Sequence, residues 1–212
     1  MTKHNYVHGY TERESARLED QANTLDDLLH HDSVFPAGSR ILEAGCGTGA
    51  QTKIIAPKNP DSRFISVDIS EASLAKAQNL IESLNIKNVE FIHGDINDPD
   101  FEDESFDHIF ICFVLEHLPS PGAVLKSLKR VLKKDGSITV IEGDHGSAYY
   151  YPESEFAQKA IDSQVKLQAA SGGNALIGRQ LYPLITGAGY AVARAVICAG
   201  SACAGFASET FR

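Results

Sequence analysis

The stretch ILEAGCGTG at residues 41–49 constrains this chain more than any other. An apolar run stops at Gly45, and Gly47 and Gly49 follow at alternate positions. Glycine reaches backbone conformations closed to other residues and lets other groups approach the main chain closely. The residues that follow suit a helix, so the turn leads from a strand into a helix start. Backbone N–H groups there lack intrahelical partners and form a ready site for anionic or polar ligand atoms. The alternative is a tight turn that binds nothing.

The surrounding pattern sets the fold. Residues 11–30 carry Leu18, Ala22, Leu25 and Leu29 at helical spacing, with Thr11 and Glu14 placed for a capping box. A first strand is predicted at 40–44, then a helix from near Thr48 to just before Pro57. Strands follow at 63–70, 88–95, 106–114 and 137–144. Between them, Leu74, Ala77, Ile81 and Leu84 mark one helix, capped by Ser70, and Leu125, Leu128, Val131 and Leu132 mark another. Lys133–Gly136 is expected to end that second helix. Such alternation with short connections predicts an α/β fold, a doubly wound and mostly parallel sheet. Ligands of these sheets sit beyond the carboxyl ends of the strands.

Composition narrows the function classes. The net charge of −9 argues against nucleic acid or an anionic membrane as partner, since both need a basic face. Cys46, Cys112, Cys198 and Cys203 form no C-x-x-C motif, which fits a reducing cytoplasm better than a disulfide framework. Residues 1–10 lack the apolar segment of a signal peptide, and no run approaches the roughly 20 apolar residues of a spanning helix. Residues 1–212 are read as a single domain. It comprises an N-terminal arm and helix (1–36), a cofactor-binding core (37–145), acceptor-side helices (146–190) and an atypical tail (191–212).

Two ligands compete for the glycine turn. Gly45-x-Gly47-x-x-Ala50 fits a dinucleotide fingerprint, and Asp68 lies at the end of the second strand, where a carboxylate holds a ribose diol. S-adenosylmethionine would use the same carboxylate. Glu43 separates the two, because its charge would repel a pyrophosphate and suit a sulfonium and an ammonium. Asp95 can accept from an adenine amine, with Ile69 or Ile96 against the ring. No tyrosine has a lysine four residues later, so one common dehydrogenase arrangement is absent.

The set EAGCGTG (43–49), VDI (67–69), GDI (94–96) and FDHIFICFVLEHL (106–118) resembles the class I S-adenosylmethionine-dependent methyltransferases. The likeness is to the small-molecule branch containing ubiquinone and menaquinone methyltransferase-like proteins, and it covers roughly residues 6–190. YVHGY (6–10) and RLEDQA (17–22) resemble an archaeal and bacterial subgroup. The resemblance implies a Rossmann-like methyltransferase fold. It also implies that Glu43, Gly45, Gly47 and Gly49 line the methionine part of the cofactor. Asp68 would bind the ribose with Ile69 beside the adenine, and Asp95 and Ile96 would hold the adenine edge and face. Cys112 and Phe113 would lie under the reacting methyl, and Tyr10 and Arg17 would close over the site.

On the acceptor side, His117 follows the fourth strand and His145 the fifth. His145 is the candidate catalytic base, with Glu142 and Asp144 as rivals, while His117 reads as structural. His117, Asp144 and His145 show no metal-ligand spacing. Tyr149, Tyr150 and Tyr151 would floor an acceptor pocket or lie on a surface loop. The Ala- and Gly-rich tail suggests one strand at 191–198 and no second. The C-terminal edge of the sheet is therefore expected to be incomplete and open to a partner chain, a homodimer being the simplest case. The expected activity is methyl transfer to a small-molecule acceptor. The alternatives are an NAD-dependent oxidoreductase and a cofactor-binding protein without turnover.

Overall fold

The computed structural model describes residues 12–200 and 203–211. Seven strands form one sheet in the order β3-β2-β1-β4-β5-β7-β6. They are β1 (Arg40–Ala44), β2 (Arg63–Asp68), β3 (Val89–His93), β4 (Phe106–Cys112), β5 (Leu132–Gly143), β6 (Val192–Gly200) and β7 (Cys203–Phe211). The first five run parallel, and β7 pairs antiparallel with both β5 and β6. The helices are α1 (Glu12–His30), α2 (Thr52–Lys58), α3 (Glu71–Ser83), α4 (Pro121–Val131), α5 (Glu155–Ala170) and α6 (Leu181–Gly187).

Strand alternation divides the core in two. Leu42, Ile65, Ile109, Ile111 and Val140 face the side covered by α4 and α6, where Val124, Leu125, Leu128 and Val131 are fully buried. Their neighbours in sequence, Ile41, Phe64, Phe110, Cys112 and Ile141, face the other side with Leu25 and Leu29 of α1 and Ile55 of α2. Glu43 shares the face of Ile41 by the same alternation. Both faces are covered, so the strands read as apolar runs rather than as a half-polar alternation.

The chain leaves β1 for β2 and β3, then returns to β4 on the other side of β1. That reversal opens a crevice beyond the carboxyl ends of β1 and β4. The glycine turn sits there.

Several expected boundaries move. α2 begins at Thr52 and includes Pro57 near its end, where the missing N–H removes a single hydrogen bond. β4 stops at Cys112 because Phe113 turns to a φ of 56°, the left-handed region. β5 starts at Leu132, with a register irregularity between Phe106 and His108 on its partner, so Lys133–Gly136 belongs to a strand rather than a helix end. Ser70 caps α3 as expected, accepting from the Ser73 N–H at 3.2 Å.

The tail departs most from expectation. β6 and β7 complete the sheet, with Ile138–Gly143 of β5 paired to Phe211–Phe206 of β7. Strand pairing is made by backbone groups, and β7 lies inside the sheet, where no alternation is needed. The edge of β5 is thus covered by the chain itself, and the reason for expecting a partner chain there falls away. Thr11 of the capping box and Tyr10 lie outside the described residues.

Candidate functional site

The three glycines of the turn differ in what surrounds them. All have positive φ: 82° at Gly45, 55° at Gly47 and 82° at Gly49. A Cβ on Gly45 would stand 2.6 Å from Val114 Cγ2, and one on Gly49 would stand 3.1 Å from Ala77 Cβ of α3. Those two glycines let Val114, just after β4, and α3 pack against the turn. A Cβ on Gly47 would meet nothing within 4 Å. Only Gly47 borders open space.

The turn is fastened to β2. The Gly45 and Cys46 N–H groups donate to the Val67 carbonyl at 2.8 and 3.0 Å. The Gly47 N–H donates to Asp68 Oδ2 at 2.8 Å, and the Ser70 N–H donates to Asp68 Oδ1 at 2.9 Å. Asp68 thus joins the glycine turn to the start of α3. A carboxylate accepts at roughly four positions, so about half its capacity remains for a ligand.

Glu43 lies beneath the turn and is buried. Thr52 Oγ1 donates to its carboxylate at 3.0 and 2.8 Å, and Ser66 Oγ donates at 2.5 Å. Burial pushes its pKa up to about 7, against the hydroxyl bonds that favour the ionised form. Cys112 is buried and behaves as a small hydrophobe, its thiol pushed well above its usual range by burial. Phe113, held in its left-handed conformation, donates its N–H to the Ile141 carbonyl at 2.9 Å.

Ile69 is half-exposed, and its carbonyl lies 3.0 Å from His93 Nε2. Asp95 is exposed and accepts from the N–H and the side-chain amide of Asn97 at 2.8 and 2.6 Å. Ile96 is 8% exposed and joins the core, so Ile69 is the apolar face left open on this rim. Arg17 is exposed on α1 and donates to Gln21 at 2.9 Å.

Beyond the ends of β4 and β5 lies a polar cluster that sequence reasoning missed. Glu116, buried in the short helical turn Leu115–His117, faces two histidines. His145 Nε2 is 3.7 Å from its Oε2, and His117 Nε2 is 3.4 Å from its Oε1. The fully buried Gln168 of α5 donates to the Glu116 carbonyl at 3.0 Å and to its carboxylate at 3.2 Å. Burial opposes ionisation of Glu116, but these neighbours hold its pKa below the usual value. The one signal in sequence was the adjacency of Glu116 and His117.

The rival bases are occupied. Glu142 is fully buried, with its pKa pushed up to about 8 by burial and by Glu116. It accepts the N–H groups of Val114 and Leu115 at 2.9 and 2.7 Å. Asp144 takes a two-pronged contact from Arg179 at 2.8 and 2.9 Å and a bond from Ser147 Oγ at 2.7 Å. Tyr149 and Tyr151 are exposed, and the Tyr150 hydroxyl reaches the Ser154 carbonyl at 3.1 Å. The tyrosines therefore lie on a surface loop and do not form a closed floor. Among the described residues, no group of three or more histidine, cysteine or acidic side chains is arranged to hold a metal ion.

This crevice and turn belong to a known class. A family model described as a methyltransferase domain matches residues 36–189, and the chain belongs to that family. Demethylmenaquinone methyltransferase of Bacillus mycoides (strain KBAB4) is 36% identical over 106 residues, 50% of this chain and 45% of that protein. The chain spans about half the length of the curated relatives it matches. Among solved structures, a SAM-dependent methyltransferase from Aquifex aeolicus superposes with a TM-score of 0.69 at 19% identity, covering 96% of this chain and 98% of that one. The trans-methyltransferase CalH, in complex with SAH, superposes with a TM-score of 0.68 at 22% identity, covering 95% of this chain and 60% of that one. The fold is the Rossmann-like methyltransferase fold.

Proposed function

We propose that this chain transfers a methyl group from S-adenosylmethionine to a small-molecule acceptor. The observation that carries the reading is the open face of Gly47, whose N–H is tied to Asp68 at 2.8 Å. The residues fit such a cofactor. Gly47 leaves space that a Cβ would fill, Asp68 keeps acceptor positions free, and Ile69 offers a half-exposed apolar face beside them. When bound, S-adenosylmethionine supplies a methyl already activated on a sulfonium, and in-line displacement leaves S-adenosylhomocysteine.

The chain's own part is alignment and exclusion of water. Gly45, Gly47 and Gly49 shape the cradle for the methionine part, with Glu43 bracing it from below. Asp68 accepts from the ribose hydroxyls, Ile69 packs against the adenine with Ile96 behind it in the core, and Asp95 accepts at its edge. Cys112 and Phe113 form the apolar bed under the methyl. Arg17 covers the site from the N-terminal side. His145, beside Glu116, receives the acceptor's proton.

The same reading takes residues 1–212 as one domain, with 37–145 as its cofactor-binding core and 146–190 on the acceptor side. The name of the Bacillus relatives supports a small-molecule acceptor. Among the described residues, no helix is long and apolar enough to cross a membrane. The free, buried thiols of Cys46 and Cys112 support a cytoplasmic setting.

Calorimetric titration of the full chain with S-adenosylhomocysteine, with NAD in parallel, tests the reading. Micromolar binding of the first and none of the second is expected. Binding of NAD alone, or of neither, would overturn it. Labelled S-adenosylmethionine that binds but passes no label to a pool of small-molecule acceptors would favour a binding protein without turnover.

A further inference from the structure

α5 is joined to the rest of the fold through polar groups. Among its described residues Gln168 alone is buried, with no exposed surface. Its Nε2 donates to the Glu116 carbonyl at 3.0 Å and to Glu116 Oε2 at 3.2 Å. Both partners are acceptors, so the amide nitrogen is the atom that faces them and the oxygen points elsewhere. Among the described residues, Gln168 Oε1 has no hydrogen-bond partner. A buried acceptor left without a donor is costly, and native folds seldom keep one without a use. Holding α5 in place is the work of Nε2 and does not explain the oxygen.

The cluster around Glu116 leads from this oxygen to the glycine turn and to solvent. Val114, two residues before Glu116, packs on Gly45, where a Cβ would stand 2.6 Å from its Cγ2. Exposure rises outward from 0% at Gln168 to 10% for the Glu116 side chain and 29% for that of His145, whose Nε2 is 3.7 Å from Glu116 Oε2. One turn earlier in α5, Gln164 places its Nε2 3.4 Å from His145 Nε2, so one helix face looks onto both Glu116 and His145. Along that inward face Ala157, Ile161 and Val165 are only half-buried. The space under α5 thus has apolar residues along its length and an unmet acceptor at its closed end.

We propose that this space receives the methyl acceptor, and that Gln168 Oε1 accepts a hydrogen bond from a hydroxyl or amine that the acceptor carries. This deepens the methyl-transfer reading above and rests on it. The acceptor is then a molecule with an apolar body, lying along Ala157, Ile161 and Val165, and an O–H or N–H at one end. Gln168 Oε1 and an ionised Glu116 carboxylate offer lone pairs only, so an ether or carbonyl oxygen would be rejected where a donor is welcome. Gln168 sets specificity and takes no part in the bond changes.

The test is NMR on the full chain with isotopically labelled glutamine side chains, saturated with S-adenosylhomocysteine. Phenol and aniline serve as donor probes, with anisole and toluene as their donor-free counterparts. Phenol or aniline is expected to bind at least about threefold more tightly than anisole or toluene and to shift the Gln168 side-chain amide signal. The tighter of the two donors separates a hydroxyl from an amine. In Gln168→Met, which keeps the volume and loses the oxygen, the preference is expected to vanish. Equal affinity for donor and donor-free probes in the wild-type chain overturns the proposal and needs no variant. A preference that survives in folded Gln168→Met also overturns it. So does the absence of probe binding at millimolar concentration, or binding that leaves the Gln168 signal unmoved, since water alone then serves the oxygen. In each case the methyl-transfer reading stands, because S-adenosylhomocysteine has bound. Failure of S-adenosylhomocysteine to bind overturns that reading, and this one with it.

Discussion

Alanine at Gly47 and alanine at Gly49 should separate ligand binding from stability. Both residues sit at positive φ, 55° and 82°, a conformation that costs an L-residue about 1–2 kcal/mol. At Gly47 that is the whole expected loss, because the new methyl meets no atom within 4 Å. At Gly49 the methyl would press on Ala77 of α3, 3.1 Å from its Cβ and 3.2 Å from its Cα. The Cα belongs to helix backbone and cannot rotate away, so an overpacking cost of about 1–3 kcal/mol is added. Gly49→Ala should therefore lose about 2–5 kcal/mol in urea denaturation, and Gly47→Ala about 1–2 kcal/mol. Binding should rank the other way. The Gly47 methyl stands where the ligand passes, and affinity for S-adenosylhomocysteine should fall at least about tenfold, or 1.4 kcal/mol. Calorimetry on the folded variants measures this directly. Wild-type affinity in Gly47→Ala would refute the assignment of its open face to the ligand. Equal destabilisation in the two variants would refute the account of the surrounding space.

Asp68→Ala should weaken S-adenosylhomocysteine binding by about 1–3 kcal/mol, the scale of hydrogen bonds to a charged group, and an unchanged Kd would count against ribose binding. His108 is buried between Ser137 Oγ at 2.5 Å and Thr139 Oγ1 at 3.0 Å, and burial lowers its pKa from 6.5 to about 3. The unfolded chain binds its proton first, so its contribution to stability falls as the pH drops below about 6.5, by about 2 kcal/mol between roughly pH 7.5 and 5. Glu43 and Glu142 have the opposite sign, since their pKa values are raised from 4.5 and their stabilising effect is lost as the pH rises through about 7 and about 8. The test is therefore the difference in pH slope between wild type and His108→Gln in urea denaturation; identical slopes would refute it. Phe110→Ala, at a fully buried position in the middle of β4, should cost about 3–5 kcal/mol, and a loss under about 1 kcal/mol would mean that the core there is not close-packed.

The sheet and the turn were legible because their signals are local. Positive-φ glycines, a Ser70 cap and apolar runs depend on neighbours in the chain, and the structure keeps all of them. The last two strands were illegible because small residues carry no alternation, while their pairing lies in backbone groups that every residue supplies. Glu116 was missed for another reason. Its partners are His145, after β5 and 29 residues along the chain, and Gln168, in α5 and 52 residues along, and no local pattern announces such a meeting. In sequence, Glu142 reads only as a rival to His145 for the base. Its actual partners, the N–H groups of Val114 and Leu115, are set by how β4 and β5 pair.

Glu43 and Glu142 show what the crevice requires of the fold. Each ends a central strand, each is buried, and apolar residues at both positions would avoid the desolvation of a carboxylate. Each instead holds a loop that borders the crevice. Glu43 ties α2 to the floor of the glycine turn through Thr52, and Glu142 accepts the N–H groups of Val114 and Leu115 in the loop after β4. Phe113 opens the loop that Glu142 holds and has a left-handed backbone, which persists only where its surroundings over-determine it. Rigid loops on either side of β4 allow a reaction that works by alignment, because a small misplacement of the reacting groups is costly in rate. Glu43 and Glu142 thus brace the turn after β1 and the loop after β4, the loop in which Phe113 keeps its left-handed backbone.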